Sequence, residues 1–280
     1  MHAAPGRGAG WRGVAGRGMV TGRQGERARV LAFEGGALCV PESLADQAGP
    51  DWFDPRTFGG EAVGEGGRQA AWFVQGPFGA AVLRHYRRGG LRARLGRETY
   101  FWLGAARTRS FAEYRVLARL RAADVAVPAP LGAAYWRRGL GYRAAILVAR
   151  IPGARTLAGC LAAAPDAAPD AALAAADGTA GGTTAWRKPR AVDPLPVARA
   201  IHAMHEVGVS HADLNAHNIL LDAQGRVWLI DFDRAAVGVA SPGQRRKNLL
   251  RLRRSLVKVC GAPGARWWDE LHSAYEHLPC

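Results

Sequence analysis

Two short apolar segments that flank a tight turn constrain the fold of this chain more than any other feature. Residues 219–221 and 227–230 are apolar and predict two paired strands, and Gly225 in the intervening turn can adopt a positive φ. Pairing of these strands places Asp231, which follows the second strand, beside Asn218, which precedes the first. The pattern therefore predicts a β-hairpin that brings two oxygen-bearing side chains together at one end.

The residues around this hairpin are suited to metal and proton chemistry. Mg²⁺ prefers hard oxygen ligands, so Asn218 and Asp231 are predicted to hold a magnesium ion. Asp213, one loop away, is predicted to act as the base for an attacking hydroxyl group. The alternative is a surface hairpin whose polar residues have no catalytic role. The catalytic interpretation is favoured because these three residues and His211 all stand at the spacing of one motif.

The spacing matches the catalytic loop of protein kinases, H-R-D-x-x-x-x-N followed by D-F-G. Here the triplet at 211–213 is His-Ala-Asp, Asn218 follows five residues after the aspartate, and the triplet at 231–233 is Asp-Phe-Asp. We therefore predict an α+β, two-lobed protein-kinase-like fold. Its β-rich N-lobe would span residues 26–150, and its mainly helical C-lobe, which carries the catalytic hairpin, would span residues 151–280.

The wider sequence resembles the 3-deoxy-D-manno-octulosonic acid (Kdo) kinases, which belong with the lipopolysaccharide-core kinases. The resemblance rests on His-Ala-Asp-Leu-Asn-Ala-His-Asn-Ile-Leu-Leu-Asp at 211–222 and on Leu-Arg-His-Tyr-Arg-Arg-Gly-Gly-Leu at 83–91, and it spans residues 55 to 275. It implies that ATP and Mg²⁺ are used to phosphorylate the 4-hydroxyl of Kdo on a Kdo-bearing lipid A precursor. It also implies a peripheral position on the cytoplasmic face of the inner membrane.

Nucleotide binding requires a cradle for phosphates, and glycines allow backbone N–H groups to approach phosphate closely. Gly64, Gly66 and Gly67 precede a predicted strand at 70–74 and are the predicted cradle. The glycines at 59–60 are a nearby alternative. Because the chain contains 36 glycines, this prediction depends mainly on the position of the loop before two strands.

Kinases also place a lysine on the third strand to bind phosphate. Here Arg84 occupies that position, and arginine can bind phosphate in a bidentate manner. Arg88 is the alternative cation. Glu113 is the predicted partner of Arg84, although the same residue could close a capping box with Ser110. Glu98 is a weaker alternative partner.

Basic residues are unusually abundant, because 38 Lys and Arg against 23 Asp and Glu give a net charge of +15. Eleven arginines lie between residues 84 and 121, and seven basic residues lie between 245 and 258. Such runs suit a polyanion, and we expect an anionic inner-membrane surface as the partner. No RNA- or DNA-binding motif accompanies the charge, so no nucleic acid is expected. A solvated arginine-rich surface without a partner is the alternative.

Local patterns predict the remaining organisation. Residues 1–25 lack the continuous apolar core of a signal peptide, so we expect a disordered tail or a start assigned too far upstream. Residues 162–184 are mostly Ala and offer little area to bury, which predicts a mobile insertion. No apolar run approaches the ~20 residues of a transmembrane helix. The four cysteines form no CxxC pair, which fits a reducing compartment. The expected elements are a short strand within 26–40, a loop over 41–56, strands at 70–74, 80–84 and 144–151, and helices over 110–122 and from Pro194 to Gly208.

Three departures from the kinase pattern leave other functions open. Arg84 replaces the strand lysine, Asn215 stands where many protein kinases have a catalytic-loop lysine, and Asp233 replaces the glycine of D-F-G. Asp233 either adds a metal ligand or caps a turn. Another sugar or small-molecule phosphotransferase, such as a heptose kinase or an aminoglycoside-type enzyme, is therefore one alternative. A catalytically inactive kinase fold that serves as a binding module is the other.

Overall fold

The computed structural model describes residues 19–21, 26–63, 71–86, 100–163 and 192–279, and the structural statements below concern these residues. The fold is mixed α/β, with strands dominating up to Ala149 and helices dominating afterwards. The strands in chain order are β1 (Met19–Thr21), β2 (Glu26–Phe33), β3 (Gly36–Pro41), β4 (Glu61–Ala62), β5 (Ala71–Gly76), β6 (Gly79–His85), β7 (Tyr100–Phe101), β8 (Pro130–Arg138), β9 (Gly141–Ala149), β10 (Arg155–Thr156), β11 (Val209–Ser210), β12 (Ile219–Leu221), β13 (Val227–Leu229) and β14 (Ala236–Val237). The α-helices are α1 (Arg109–Ala122), α2 (Leu157–Ala162), α3 (Pro194–Glu206) and α4 (Pro242–Glu276).

A nine-stranded antiparallel sheet occupies the first part of the described chain. Its order is β1-β2-β3-β8-β9-β6-β5-β4, and β7 pairs with β9. The strands expected at 70–74 and 80–84 are confirmed as β5 and β6, which pair from Ala71↔Arg84 to Gly76↔Gly79. The segment 26–40 contains two strands where one was expected, because Gly35, with a φ of 75°, allows the chain to turn back within two residues.

The prediction of a loop over 41–56 was wrong in part. Two short 3-10 helices form there, Glu42–Leu44 and Pro50–Phe53, and Pro50 begins the second one because its fixed φ suits the first helical position. Trp52 and Phe53 on this helix are each only 2% exposed and cover one face of the sheet. Aromatic burial therefore orders a segment that its prolines alone would suggest is irregular.

Helix α1 covers the opposite face of the sheet and confirms the helix predicted over 110–122. Its apolar side chains recur at helical spacing and are buried against the strands and the helical part of the chain. The buried members are Phe111, Tyr114, Val116, Leu117, Ala118 and Leu120. This helix is the contact surface through which the sheet and the helical part share one hydrophobic core.

The helical part contains the predicted hairpin. Strands β12 and β13 pair from Ile219↔Leu229 to Leu221↔Val227, as the sequence predicts, and β10 adds a third strand. Helix α3 begins after Asp193, whose side chain accepts a hydrogen bond from the backbone N–H of Leu195. Helix α4 kinks at Gly261, where a φ of 61° interrupts the helical geometry. The buried faces of α3 and α4 pack against each other, and α3 also packs against strand β13 of the hairpin.

Several segments mentioned above lie wholly or partly outside the described residues. Met19–Thr21 forms a strand paired with Glu26–Ala28 within the expected disordered tail, and the remainder of residues 1–25 is not described. The expected insertion at 162–184 is described only at its first two residues, which end helix α2. Within the described ranges, no helix combines the length and apolarity needed to cross a bilayer.

Candidate active site

The hairpin places two predicted metal ligands at the same cleft. The backbone N–H of Ile230 donates a 3.0 Å hydrogen bond to the carbonyl of Asn218, so the next residue, Asp231, lies close to Asn218. Asn218 and Asp231 both line a cleft of about 540 Å³ between the sheet and the helical part. A larger cavity of about 690 Å³ contains none of the predicted site residues that the structure describes.

Asp231 adopts a backbone conformation that is uncommon for a residue other than glycine, with a φ of 64°. Aspartate tolerates this left-handed region better than most residues, and such conformations cluster at functional sites. The next residue, Phe232, is fully buried and packs against the His211 ring at a centroid distance of 4.8 Å. The buried ring anchors the turn, and the strained residue before it presents its carboxylate to the cleft.

His211 holds the catalytic loop and the hairpin together. Its Nδ1 accepts a 3.0 Å hydrogen bond from the backbone N–H of Asp213, which requires the proton of the neutral ring to be on Nε2. That Nε2 lies 2.9 Å from the carbonyl of Ile230 and donates to it. Burial lowers the pKa of His211, which favours this neutral form. This geometry fits a structural role for His211, in which it supports the loop backbone and does not act as the catalytic base.

Asp213 is not among the residues that line the cleft but lies next to Asn218, and 61% of its side chain is accessible. Its Oδ1 accepts a 3.1 Å hydrogen bond from Arg251 of helix α4. The backbone carbonyl of Asp213 accepts hydrogen bonds from the carboxamides of Asn218, at 2.9 Å, and Asn215, at 3.1 Å. Because the Asn218 nitrogen is used in this way, its oxygen is available as a metal ligand.

Arg84 and Glu113 meet, as predicted, on the inner side of the cleft. The Arg84 guanidinium donates to both carboxylate oxygens of Glu113, at 2.6 and 2.5 Å, and also to Asp231. Tyr86 donates its hydroxyl to Glu113 as well. Burial opposes the charge on Arg84, but the nearby Glu113, Tyr86 and Asp231 raise its pKa above the ordinary value. Arginine is therefore a permanent cation at this position.

The alternative role of Glu113 in a capping box is wrong. The N-cap of helix α1 is Thr108, two residues before Ser110, and Thr108 makes no side-chain capping bond. Ser110 is buried inside the first turn, and its hydroxyl donates a 2.8 Å hydrogen bond to the carbonyl of Ala134. Glu113 is only 3% exposed and is surrounded by the Arg84 cluster. Tertiary contacts therefore determine its role, and the local motif does not form.

The remainder of the cleft is mainly apolar, which suits a flat aromatic ring. Residues 149–151 also line the cleft, where the first part of the chain leads into the second. Arg150 covers the ring of Phe73 with its guanidinium 3.8 Å from the ring centroid. The apolar lining residues are Val63, Ala71, Phe73, Val82, Leu117, Pro128, Ile146, Val148, Ala149, Ile151, Ala154, Leu220 and Ile230.

The predicted glycine cradle cannot be compared directly with this cleft. Gly64, Gly66 and Gly67 lie outside the described residues, as do the alternatives Arg88 and Glu98. Val63 and Ala71, which flank the glycine segment, both line the cleft, and the N–H of Val63 donates to Ala71. The rival glycines at 59–60 are not among the cleft residues, and Gly60 instead packs closely against Pro55.

Three interactions at the site were not predicted from the sequence. Arg109, at the start of helix α1, forms a bidentate ion pair with Asp233, with one contact at 2.7 Å. Asp233 therefore has an ion-pair partner. Neither of its two expected roles, metal ligand or turn cap, included such a partner. Arg251 contacts Asp213 from helix α4. Asn248 is buried on α4 and bonds both backbone groups of His211.

Only the last of these interactions had a signal in the sequence. Asn248 adjoins Leu249, which with Leu252 and Leu256 forms the apolar face of α4, and a polar residue there requires a partner. Arg109 and Arg251 belong to arginine-rich segments in which no pattern distinguishes one cation from its neighbours. Their roles depend on which cations the fold brings beside an acidic partner.

The donor set fits a magnesium ion held with substrate oxygens. No group of three or more His, Cys, Asp or Glu side chains in the described ranges could hold a metal alone. One carboxylate and one carboxamide oxygen are nevertheless sufficient for Mg²⁺, which usually keeps waters and takes its other ligands from phosphates. Asp231 and Asn218 carry these two kinds of oxygen, and both line the same cleft.

Comparison with known proteins identifies the family. Residues 56–275 match the model of the Lipopolysaccharide kinase (Kdo/WaaP) family, and the chain belongs to that family. The chain is 46% identical over 228 residues to a 3-deoxy-D-manno-octulosonic acid kinase of Stenotrophomonas maltophilia (strain R551-3), covering 81% of this chain and 82% of the relative. Proteins of the same name from Xanthomonas campestris pv. campestris (strain B100) and Xylella fastidiosa (strain 9a5c) are each 43% identical, covering 86% and 89% of this chain and 90% and 95% of theirs. The resemblance inferred from the sequence is therefore confirmed.

Proposed function

We propose that this protein transfers the γ-phosphoryl group of ATP to the 4-hydroxyl of a Kdo residue on a lipid A precursor. The observation that carries this proposal is the convergence of Asn218, Asp231 and the Arg84–Glu113 pair at one cleft, with the exposed Asp213 in contact with Asn218. The relatives named 3-deoxy-D-manno-octulosonic acid kinase support Kdo as the acceptor. The arrangement also supports assignment of the chain to the two-lobed protein-kinase-like fold.

The proposed catalytic steps use side chains in and beside the cleft. Asp213 orients the acceptor hydroxyl and accepts its proton as the oxygen attacks the γ-phosphorus in line. The bond between the γ-phosphorus and the bridging oxygen breaks, and ADP leaves with that electron pair. Asn218 and Asp231 would hold the magnesium ion, which neutralises charge on the phosphates when it is bound. Arg84, kept in place by Glu113, contacts the phosphates as a permanent cation. Placement and charge neutralisation account for most of the acceleration.

The apolar part of the cleft is proposed to hold the adenine ring. Its walls come from both the sheet and the catalytic hairpin, and residues 149–151 also line it. The glycines at 64, 66 and 67 are proposed to cover the phosphates, because the residues on each side of them line this cleft. A lipid acceptor further implies that the protein acts as a peripheral protein at the cytoplasmic face of the inner membrane.

The test is phosphorylation of a Kdo-bearing lipid A precursor by purified protein with ATP and Mg²⁺, with the product mass measured. Wild-type protein is expected to add one phosphate to Kdo. Asp213→Ala is expected to lower kcat by about 10³-fold or more while ATP still binds. Asp46→Asn, at a side chain that is 96% exposed, is the control and is expected to retain full activity.

Each alternative predicts a different result in the same assay. Phosphorylation of heptose or of an aminoglycoside, but not of Kdo, would indicate another small-molecule phosphotransferase. A protein that binds ATP but phosphorylates none of these acceptors would be the inactive binding module. Equal turnover by wild type and Asp213→Ala would exclude the role given to Asp213.

A further inference from the structure

Three large apolar side chains project from the sheet where β7 lies beside the turn between β8 and β9. Phe101, Leu103 and Leu140 are 74%, 68% and 84% exposed, respectively. They form one unit, here called the apolar ridge, because the backbone N–H of Trp102 donates a 3.0 Å hydrogen bond to the carbonyl of Leu140. Phe101 also pairs with Gly141 of β9. The ridge is therefore supported by a strand and by the turn between β8 and β9.

The exposure of the ridge follows from the local structure. Successive side chains of an extended segment point to opposite faces, so the packing of the half-buried Trp102 against the core turns Phe101 and Leu103 outward. Trp102 is held in place by Tyr135 and Tyr142, with ring centroids 4.9 and 6.0 Å away. The apolar side chains are thus supported by a packed aromatic cluster, and the packing of this cluster makes them point outward.

Exposed arginines lie close to the ridge in the chain, and one of them contacts its supporting tryptophan. Arg137 and Arg138 immediately precede the turn that carries Leu140, and Arg107 follows Leu103 by four residues. The Arg137 guanidinium lies 5.3 Å from the centroid of the Trp102 ring, directly beside the ridge. Exposed apolar side chains with a basic rim are complementary to an anionic bilayer, whose headgroups attract cations and whose interface accepts apolar groups.

The ridge is close in sequence to the candidate active site. The chain continues from Leu103 through one short helical turn to Arg109, which forms the ion pair with Asp233. Asp233 lies two residues after the proposed metal ligand Asp231. A bilayer that contacts the ridge would therefore lie near the start of helix α1, which the Arg109–Asp233 ion pair connects to the catalytic segment.

We propose that the apolar ridge and its arginines dock this protein on an anionic lipid bilayer. The proposal deepens the proposed function, since a docked enzyme would meet an acceptor embedded in the same bilayer. Docking can be measured separately from that function, because vesicle binding does not require catalysis. Phe101, Leu103 and Leu140 enter the interfacial region, while Arg137 and Arg138 contact the anionic headgroups.

The test is flotation of the full chain with vesicles of phosphatidylglycerol and phosphatidylethanolamine. Combined replacement of Phe101, Leu103 and Leu140 by serine is expected to lower the partition coefficient by about tenfold or more. Arg137→Gln with Arg138→Gln is expected to lower it about 30-fold, since each arginine contributes about 1 kcal/mol near an anionic surface. Because these side chains are exposed, thermal unfolding should be nearly unchanged.

The matched control replaces two exposed apolar residues elsewhere, Val237→Ser with Val239→Ser, at 52% and 91% exposure. This control is expected to bind vesicles like wild type. The proposal fails if wild type does not float with anionic vesicles, if the ridge variant floats equally well, or if the control loses binding to the same extent. It also fails if light scattering shows a dimer that the ridge variant abolishes, because the ridge would then be an interface between copies.

Vesicle binding and catalysis are separated by a second measurement. Phosphorylation of a water-soluble Kdo oligosaccharide without acyl chains should be the same for wild type and the ridge variant. Flotation through the ridge by a protein that phosphorylates no Kdo acceptor would support the docking surface and overturn the proposed function. Loss of soluble-acceptor activity in the ridge variant would instead count against a docking role, because it would show that the ridge supports the active site itself.

Discussion

Removal of the Glu113 carboxylate tests the ion pair at the centre of the site. Glu113→Ala leaves the Arg84 guanidinium without the partner that accepts two of its hydrogen bonds. It also removes the acceptor of the buried Tyr86 hydroxyl. Glu113 is 3% exposed and the Arg84 side chain 23% exposed, so water can replace little of what is lost.

The expected cost follows from this burial. Removing one partner of a buried ion pair typically costs 3–5 kcal/mol, because the other charge stays buried without compensation. We expect about 3 kcal/mol for Glu113→Ala, at the lower end, because Asp231 remains as a second partner of Arg84. A typical native domain is stable by only about 5–15 kcal/mol, so the effect would be large.

Urea unfolding followed by tryptophan fluorescence measures this change, with Glu42→Ala as the control. Glu42 pairs with Arg29 at 3.4 Å, and both side chains are substantially exposed, at 54% and 41%. Exposed pairs contribute less than about 1 kcal/mol, so the control should be nearly unchanged. If Glu113→Ala lost no more stability than Glu42→Ala, the Arg84–Glu113 pair would not be the buried contact described here.

Three further predictions concern other buried or paired side chains. Burial lowers the pKa of His205 to about 4 from 6.5. The unfolded chain therefore binds this proton first as the pH falls, and stability should decrease by about 3 kcal/mol between pH 6.5 and 4. His205→Gln should remove that part of the slope in urea titrations at each pH, and an unchanged slope would contradict the assignment. A double-mutant cycle on Arg109→Ala and Asp233→Ala should give a coupling of about 1–3 kcal/mol in unfolding free energy, whereas less than about 0.5 kcal/mol would mean that the pair is not formed. Arg251→Ala should lower kcat/KM by roughly tenfold because it contacts Asp213, with Arg254→Ala as the control on the same helix; equal effects would point to loss of general positive charge.

The catalytic hairpin could be predicted from the sequence because its information is local. All the features that define the hairpin lie within residues 218–231. They are two apolar segments that pair in antiparallel register and a turn glycine with a φ of 75°. The same holds for the α1 and α3 helices, whose apolar residues recur at helical spacing. Family membership is also evident at this level, because the catalytic-loop residues are close together in the chain. The glycine cradle at 64–67 remains a prediction, since those residues are not described.

Tertiary structure decided which partner each charged side chain has. The sequence left Glu113 between a helix cap and an ion pair, and only the packing of helix α1 against the sheet brings it to Arg84, 29 residues away. Arg109 meets Asp233 across 124 residues, and Arg251 meets Asp213 across 38. In a chain with so many arginines, the residue type does not identify the partner. An ion pair or a buried hydrogen bond depends on distances of a few ångströms and on exclusion of water, and both are set when distant elements pack together.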